Sequence, residues 1–247
     1  MTVLPDGSPE FVASEGGYDP GVAGSVTLPE TTVGVLAELG PFAVVAQAGD
    51  TVRVLVKNGA LPDGMKAEVR DGAIWITGVP GRVSTGSADL HLSVKRAVGL
   101  KVVTIAGSSV KVLWSVRPLG RAAGQFNGYR VKDDRPGCGN ASFNVTGRGK
   151  ISGKFISEGL TYTFSEKAFG GFTNMAYFVK TVAKVGTNRL ARVVQVAENG
   201  EEATLGPDDN GDGTDVYVLW RNNWKDDDRV ALLNGYTGYY TVALPVI

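Results

Sequence analysis

Short stretches in which apolar and polar residues alternate, separated by turns that contain glycine, recur along most of this chain. In SADLHLSVK (87–95), for example, Leu90, Leu92 and Val94 share one face, and polar residues occupy the other. Alternation with a period of two is typical of a strand that buries one face. Glycine accounts for 34 of the 247 residues, and its freedom to adopt positive φ suits the tight turns that join such strands. The pattern predicts an all-β fold.

Two longer stretches need a choice between structures. The run at 174–200 is long enough for a helix, but it is rich in β-branched valine, and the tripeptide GTN interrupts its middle. We therefore expect a hairpin there. The run GLKVVTIAGSSVKVLWSV (99–116) predicts two strands joined by AGSS.

The residue pattern of the sequence changes near Pro118–Gly120, which suggests a boundary between two folded regions. We expect an extended lead-in over 1–30, one folded region over 31–118 and a second over 119–247. Two stretches of the second region, GQFNGYRV (124–131) and GYYTVALP (238–245), both begin with glycine and an aromatic residue and then alternate. If these two strands pair, the second region closes into an antiparallel β-barrel with no exposed edge.

The charge balance and the length of the apolar runs exclude several classes of function. Lysine plus arginine and aspartate plus glutamate both number 25, and no basic cluster stands out, so we expect no nucleic-acid partner. No apolar run approaches 18 residues, so we expect no membrane span. The opening MTVLPDGSPEFV does not resemble a signal peptide as it stands. The single cysteine, Cys138, lies in the Gly/Pro-rich stretch DRPGCGN, where we expect a loop.

The stretch GPDDNGDGTDVY (206–217) resembles the first half of a calcium-binding loop. Oxygen-bearing residues stand at relative positions 1, 3 and 5, and Gly213 stands at position 6. The candidate metal ligands are Asp208, Asn210, Asp212, Thr214 and Asp215. Position 12 is Leu219 rather than glutamate and no helix follows, which excludes an EF-hand. The sequence predicts a weak calcium site in a hairpin loop or a dockerin-like half site. The alternative is a solvated hairpin tip.

A second candidate site is WRNNWKDDDR (220–229), where tryptophans stand beside carboxylates and amides. Exposed aromatic rings stack on the apolar faces of sugars, and nearby polar groups bind the hydroxyls. The candidate ligand-binding residues are Trp224, Asp226 and Asp227. The alternative is that Trp220, which ends the alternating strand DVYVLW, belongs to the core, and that the three aspartates form a solvated loop.

Nothing in the sequence assembles a catalytic site. The glutamates Glu158, Glu166, Glu198, Glu201 and Glu202 show no pairing that would suit a glycosidase. The only histidine, His91, lies on the polar face of a strand, so neither a serine triad nor a zinc site is expected. No nucleotide-binding glycine motif is present. We therefore expect a protein that is not an enzyme.

The stretch GALPDGMKAEVRDGAIWITGVPGRVSTGSADLHLSV (59–94) resembles the immunoglobulin-like modules of bacterial surface proteins. It has their leucine-proline-x-glycine turn at 61–64, their short strand at 73–77 and their turn at 78–80, with Val79 in place of the usual threonine. The resemblance covers about 40–118 and implies an immunoglobulin-like β-sandwich over 31–118.

The second region is similar to a companion module of large exported proteins from Verrucomicrobia- and Lentisphaerae-like bacteria. The matching stretches are GQFNGYR, ASFNVTGRGKISGKFISEGLTYTFS, LWRNNWK and GYYTVALP. The two resemblances imply an all-β fold and an extracellular or cell-surface location, and they imply no catalytic residues. The leading hypothesis is a non-catalytic module used for adhesion or display, with a glycan or a surface protein as ligand. A structural spacer and an accessory domain of a larger secreted hydrolase remain the alternatives.

Overall fold

A computed structural model of the chain describes residues 12–13, 25–43, 49–98, 100–132, 135–208 and 215–222. Strands make up nearly all of the regular structure, and one 3-10 turn (Gly120–Ala122) precedes β10. The strands in chain order are β1 (Val12–Ala13), β2 (Ser25–Thr27), β3 (Thr31–Thr32), β4 (Ala37–Ala43), β5 (Thr51–Gly59), β6 (Met65–Arg70), β7 (Ala73–Gly78), β8 (Ser84–Val98), β9 (Lys101–Arg117), β10 (Gly124–Lys132), β11 (Arg135–Val145), β12 (Ile151–Ser157), β13 (Leu160–Glu166), β14 (Gly171–Thr173), β15 (Ala176–Val185), β16 (Asn188–Ala197), β17 (Glu202–Pro207) and β18 (Val216–Arg221). The predicted all-β fold is confirmed. Within the described residues there is no helix with the length and apolarity needed to cross a membrane.

The first region consists of two sheets around one core. One sheet has the strand order β1-β4-β7-β6 and the other has the order β2-β9-β8-β5, with β3 also beside β9. Strands β2 and β3 run parallel to β9, so the segment 25–27 of the expected lead-in is part of a sheet. Ile74 and Ile76 of β7 and Leu90 and Leu92 of β8 are fully buried in the same cluster. The buried faces of the two sheets therefore stabilise each other, at about 1.5–3 kcal/mol for each large side chain.

Strands β8 and β9 form one long antiparallel hairpin. Their register runs without interruption by a turn from Ser84↔Val116 to Val98↔Lys101. The predicted turn at AGSS is wrong, since Gly107 and Ser108 lie inside β9 and pair with Ser93 and Leu92. A bulge between Val94 and Lys95 absorbs one extra residue of β9. Pairing along β8 thus overrides the local turn preference of glycine and serine.

The second region is a closed antiparallel barrel of eight strands. The strand order is β13-β12-β11-β10-β18-β17-β16-β15, β13 also pairs with β15, and β14 adds to β15. The hairpin expected at 174–200 is confirmed as β15 and β16. Successive barrel strands pair with each other, including β13 with β15 through Thr163↔Lys184, and the pairing of the first strand, β10, with the last described strand, β18, closes the ring. The stretch at 124–131 therefore does take part in closing the barrel, but its partner is 216–221. The expected pairing with 238–245 is wrong, since both edges of β10 are occupied by β11 and β18; 238–245 itself lies outside the described residues.

Aromatic side chains fill the inside of the barrel. The rings of Phe126 and Phe143 lie 5.2 Å apart, and the ring of Phe155 lies 5.3 Å from those of Tyr162 and Tyr217. All five residues are buried in a single cluster. An eight-stranded barrel is just wide enough for such side chains to fill it. A ligand must therefore be sought on the outside of this barrel rather than within it.

The two regions meet through the turn that follows β3. The N–H of Gly34 donates to the carbonyl of Pro80, and the N–H of Leu36 donates to the carbonyl of Phe169 in the barrel, both at 2.9 Å. The N–H of Phe169 donates back to the carbonyl of Gly34 at 2.9 Å, and Val35 is buried in the barrel core cluster. Close by, the guanidinium of Arg117 donates to Glu198 at 2.8 Å. Backbone bonds thus tie the first region to the barrel.

Candidate functional site

Two aromatic side chains lie together on the outer face of the barrel. Tyr129 of β10 and Trp220 of β18 are each 41% exposed, and their rings lie 5.3 Å apart at an angle of 40°. They are diagonal neighbours, because Asn127 pairs with Trp220 and Tyr129 pairs with Val218. We call Tyr129 and Trp220 the aromatic platform.

Strand alternation explains why these rings face solvent. Tyr217 and Leu219 of β18 point into the barrel and are fully buried, so the next residue, Trp220, points outward. On β10 the buried Phe126 likewise places Tyr129 on the outer face. The interpretation of Trp220 as a core residue is therefore wrong.

A glycine allows the two strands of the platform to approach closely. A Cβ atom on Gly128 of β10 would lie 1.9 Å from the carbonyl oxygen of Val218 and 2.6 Å from the Cα of Leu219. No side chain fits in that space, so only glycine permits this spacing between β10 and β18. The arrangement of the aromatic platform thus depends on Gly128, which has no side chain that could contact a ligand.

Polar side chains line the sheet beside the platform. Neighbouring strands pair Glu202 with Trp220, Trp220 with Asn127, Asn127 with Ser142 and Ser142 with Lys154. These outward residues form a continuous row across β17, β18, β10, β11 and β12. The row contains one carboxylate and one ammonium group, so it is close to electrically neutral.

A cleft of 370 Å³ opens beside this row. Its polar lining residues are Asn127, Asn140, Ser142, Lys154 and Thr161. Among the described residues, the side chains of Asn127, Asn140, Ser142 and Lys154 have no hydrogen-bond or ion-pair partner. Their amide, hydroxyl and ammonium groups offer both donors and acceptors to a ligand.

A larger cleft, of 590 Å³, lies where β13 and β15 pair with each other. Three of its four charged side chains, Lys180, Asp208 and Glu166, are already engaged with protein groups. Lys180 lies 2.8 Å from Asp208, and the hydroxyl of Thr181 donates to Glu166 at 2.7 Å. The one aromatic residue in its lining, Phe164, is buried. This cleft is therefore a weaker candidate for ligand binding than the face around the platform.

The two ends of the predicted calcium loop are held by cations. Asp208 lies 2.8 Å from the ammonium of Lys180, and Asp215 forms ion pairs with Arg130, at 2.7 Å, and with Arg192. The guanidinium of Arg192 is buried over the ring of Phe155. Within the described ranges no three His, Cys, Asp or Glu residues form a group that could hold a metal. Asn210, Asp212 and Thr214 lie outside the described residues, so calcium binding at this loop stays a prediction.

The other predicted ligand-binding residues, Trp224, Asp226 and Asp227, also lie outside the described residues and stay predictions. Tyr129 was not among the residues predicted from the sequence. The signal was present, because the alternation in GQFNGYRV separates Tyr129 from Phe126 onto opposite faces. What the sequence could not supply was the neighbouring strand, since β18 follows β10 only after more than 80 residues.

The groups considered for catalysis are dispersed. His91 lies 2.9 Å from the hydroxyl of Ser109 on an exposed sheet face of the first region. Glu198 binds Arg117, and Glu201 lies 2.9 Å from Arg121. Cys138 lies inside strand β11, so the expectation of a loop there is wrong. Residues 137–139 lie in a bulge of the β10–β11 pairing, between Tyr129↔Asn140 and Val131↔Pro136, so the strand accommodates this stretch without a separate loop.

The face around the platform is the strongest candidate site on geometric grounds. Comparison with known proteins does not identify a family for this chain: no protein-family model matches it, and no curated protein is detectably similar to it.

Proposed function

We propose that this chain is a non-catalytic, glycan-binding module of a secreted or cell-surface bacterial protein. The observation that carries the proposal is the half-exposed pair of Tyr129 and Trp220 beside a row of polar side chains that have no partner among the described residues. A calcium ion in the loop at 208–215 remains part of the proposal only as a support for the neighbouring strands.

The chemistry of the face suits a neutral sugar chain. Each sugar ring has an apolar face of C–H groups, which packs on an aromatic ring, and a rim of hydroxyls, which need both donors and acceptors. The amides of Asn127 and Asn140 provide both in one side chain. The face extends across five strands, as a ligand made of repeated units requires.

The architecture also fits a module that displays a binding face. We propose that the first region is an immunoglobulin-like sandwich, a proposal supported by its two sheets around one core and by the parallel pairing of β2 with the last strand, β9. Such a domain would act as an arm that holds the barrel away from the surface to which the protein is attached.

A protein ligand at the same face, or a stalk with no ligand, is the second candidate function. The observation that favours a stalk is the junction, where the backbone of Gly34, Leu36 and Phe169 joins the two regions. A stalk must resist bending between its units, and backbone hydrogen bonds serve that purpose.

A glycan array probed with the purified chain, once with calcium and once with EDTA, tests the proposal. We expect binding to at least one neutral glycan, and we expect Trp220→Ala to weaken it by about tenfold or more, since an aromatic stacking contact is worth about 1 kcal/mol beyond its area. Tyr129→Ala should have a similar effect. The control is Phe172→Ala, which removes an aromatic residue of similar exposure from β14.

Each result has a clear meaning. Binding lost equally in all three variants, or in none, would remove the platform as the site. Binding that disappears with EDTA would assign a role to the calcium loop. An array without any signal in either buffer would leave the stalk as the better account.

A further inference from the structure

The hairpin of β8 and β9 extends beyond the rest of its sheet. Strand β5 pairs with β8 only as far as Thr51↔Lys95, whereas the hairpin continues to Val98↔Lys101. In the part of the chain that the structure describes, no other strand pairs with β8 beyond Lys95. The end of the hairpin is therefore a projecting tip, which we define as residues 95–98 and 100–104.

The tip is apolar where a projecting hairpin would ordinarily be polar. Leu100 is fully exposed, and Val102 and Val98 are 69% and 57% exposed. Single exposed apolar residues are common on protein surfaces. Here Val98 and Val102 lie on opposite faces of the hairpin and Leu100 lies at its end, so the apolar surface wraps around the tip as a candidate interaction site. Folding alone does not explain these side chains, because none of them contributes to the core.

Cationic side chains surround the apolar residues. Lys95 and Lys101 have no ion-pair partner among the described residues. Arg96 binds Asp50 through two hydrogen bonds of 2.7 and 2.8 Å, and this contact anchors the base of the tip to the start of β5. The described tip carries no acidic residue of its own. It therefore presents an apolar end beside two lysines whose positive charges have no counter-charge among the described residues.

We propose that this tip docks on an anionic lipid surface. An apolar end inserts at the boundary between headgroups and acyl chains, and lysines beside it bind acidic headgroups, which together supply the two signals that stable membrane attachment requires. A purely apolar protein groove would accept the apolar residues but would offer no anion to the two lysines, whereas an acidic lipid surface provides both. The charge of the tip thus favours the lipid.

The position of the tip makes this site independent of the glycan face. Strand β9 runs from Lys101 at the tip to Arg117 at the barrel, and its 17 residues span about 55 Å at roughly 3.3 Å each. Lipid attachment would therefore leave the barrel far from the membrane. A variant at one end should not alter binding at the other, so the two proposals can fail separately.

Cosedimentation of the full chain with vesicles tests the proposal. We expect sedimentation with vesicles of phosphatidylcholine mixed with phosphatidylserine, and much less with vesicles of phosphatidylcholine alone. Leu100→Asp should lower binding by about tenfold or more, and so should the double variant Lys95→Glu/Lys101→Glu. The matched pair is Val98→Asp and Leu55→Asp, because both residues are 57% exposed but only Val98 belongs to the tip. Of these two variants, we expect Val98→Asp to weaken vesicle binding and Leu55→Asp to leave it unchanged.

The contrary outcomes are equally specific. Wild-type chain that stays in the supernatant with both vesicle types would overturn the proposal, as would equal effects of Val98→Asp and Leu55→Asp. Light scattering of the free chain provides a second check. A dimer that Leu100→Asp dissociates would identify a second copy of this chain as the occupant of the tip and would overturn lipid docking. All the substituted side chains are exposed or partly exposed, so these variants should fold.

Discussion

Replacing Gly34 by alanine should loosen the junction between the two regions. Gly34 has φ of +72°, and a Cβ atom there would lie 2.4 Å from the carbonyl oxygen of Arg148 and 2.5 Å from the Cα of Gly149. The positive φ alone costs about 1–2 kcal/mol for a residue with a side chain. Relief of the overlap requires the two backbones to separate, which weakens the hydrogen bonds of 2.9 Å that Leu36 and Gly34 make with Phe169. At about 1 kcal/mol for each of those bonds, the total loss is about 3–4 kcal/mol.

A second glycine provides the control for this variant. Gly72, in the turn between β6 and β7, has φ of +76° but no atom within 4 Å of the added Cβ. Gly72→Ala therefore carries the cost of the backbone conformation without the clash. For a chain of this length, 1 kcal/mol corresponds to about 2–4 °C in melting temperature. We expect Gly72→Ala to lower the Tm by about 2–8 °C and Gly34→Ala to lower it by roughly 6–16 °C.

Differential scanning calorimetry measures both changes, and limited proteolysis near residue 118 reports whether the junction has opened. We expect faster cleavage in Gly34→Ala than in Gly72→Ala. Equal melting temperatures for the two variants would show that the close contact of Gly34 with Gly149 contributes nothing to stability. The docking of the two regions would then have to rest on side-chain contacts such as that of Arg117 with Glu198.

Two further predictions concern charged and titratable groups at one end of the barrel. Asp215→Asn should destabilise the chain by about 2–4 kcal/mol, because it leaves two largely buried arginines without their anion. Asp208→Asn breaks a more exposed pair and should cost less than about 1 kcal/mol. Calorimetry in calcium and in EDTA compares the two variants, and a wild-type Tm that calcium does not raise would exclude the calcium loop. Burial, with a smaller contribution from Asp215, raises the pKa of Tyr217. The stability from its neutral form is therefore complete below about pH 10 and is lost as the pH rises above that value. Urea unfolding at increasing alkaline pH should show this loss, and Tyr217→Phe should reduce it; an unchanged pH dependence in that variant would contradict this account.

The sequence was sufficient to predict which face of an individual strand is buried. In β8 the alternation of Leu90, Leu92 and Val94 specifies which side chains enter the core, because each is buried. The choice of a hairpin over a helix at 174–200 was predictable for a similar reason, since valine favours the strand and GTN marks the turn. These signals are local, and the residues that carry them lie within a few positions of one another.

Pairing between distant strands was not predictable in the same way. Gly107 and Ser108 have turn-forming character, yet they continue β9 because β8 supplies partners along its whole length. Trp220 ends a strand rich in apolar residues, and only the register of β18 within the barrel decides that it faces outward beside Tyr129. The sequence therefore indicated that an aromatic surface could exist in this part of the chain, but it could not identify which two rings form it.

The two proposed sites give the junction a functional meaning. The tip of the β8–β9 hairpin and the aromatic platform lie at opposite ends of a path that passes through β9, Arg117 and the 3-10 turn before β10. If the junction bent freely, lipid docking at one end would not control how far the platform stands from the membrane. The contacts of Gly34, Leu36 and Phe169 remove much of that freedom, because a bend would break backbone hydrogen bonds that cross between the regions. A Gly34→Ala chain should therefore retain both binding activities when each is measured alone, while glycan-coated particles should be captured less efficiently by lipid-bound chain than with wild type. Equal capture by both chains would show that a fixed distance between the sites is not needed.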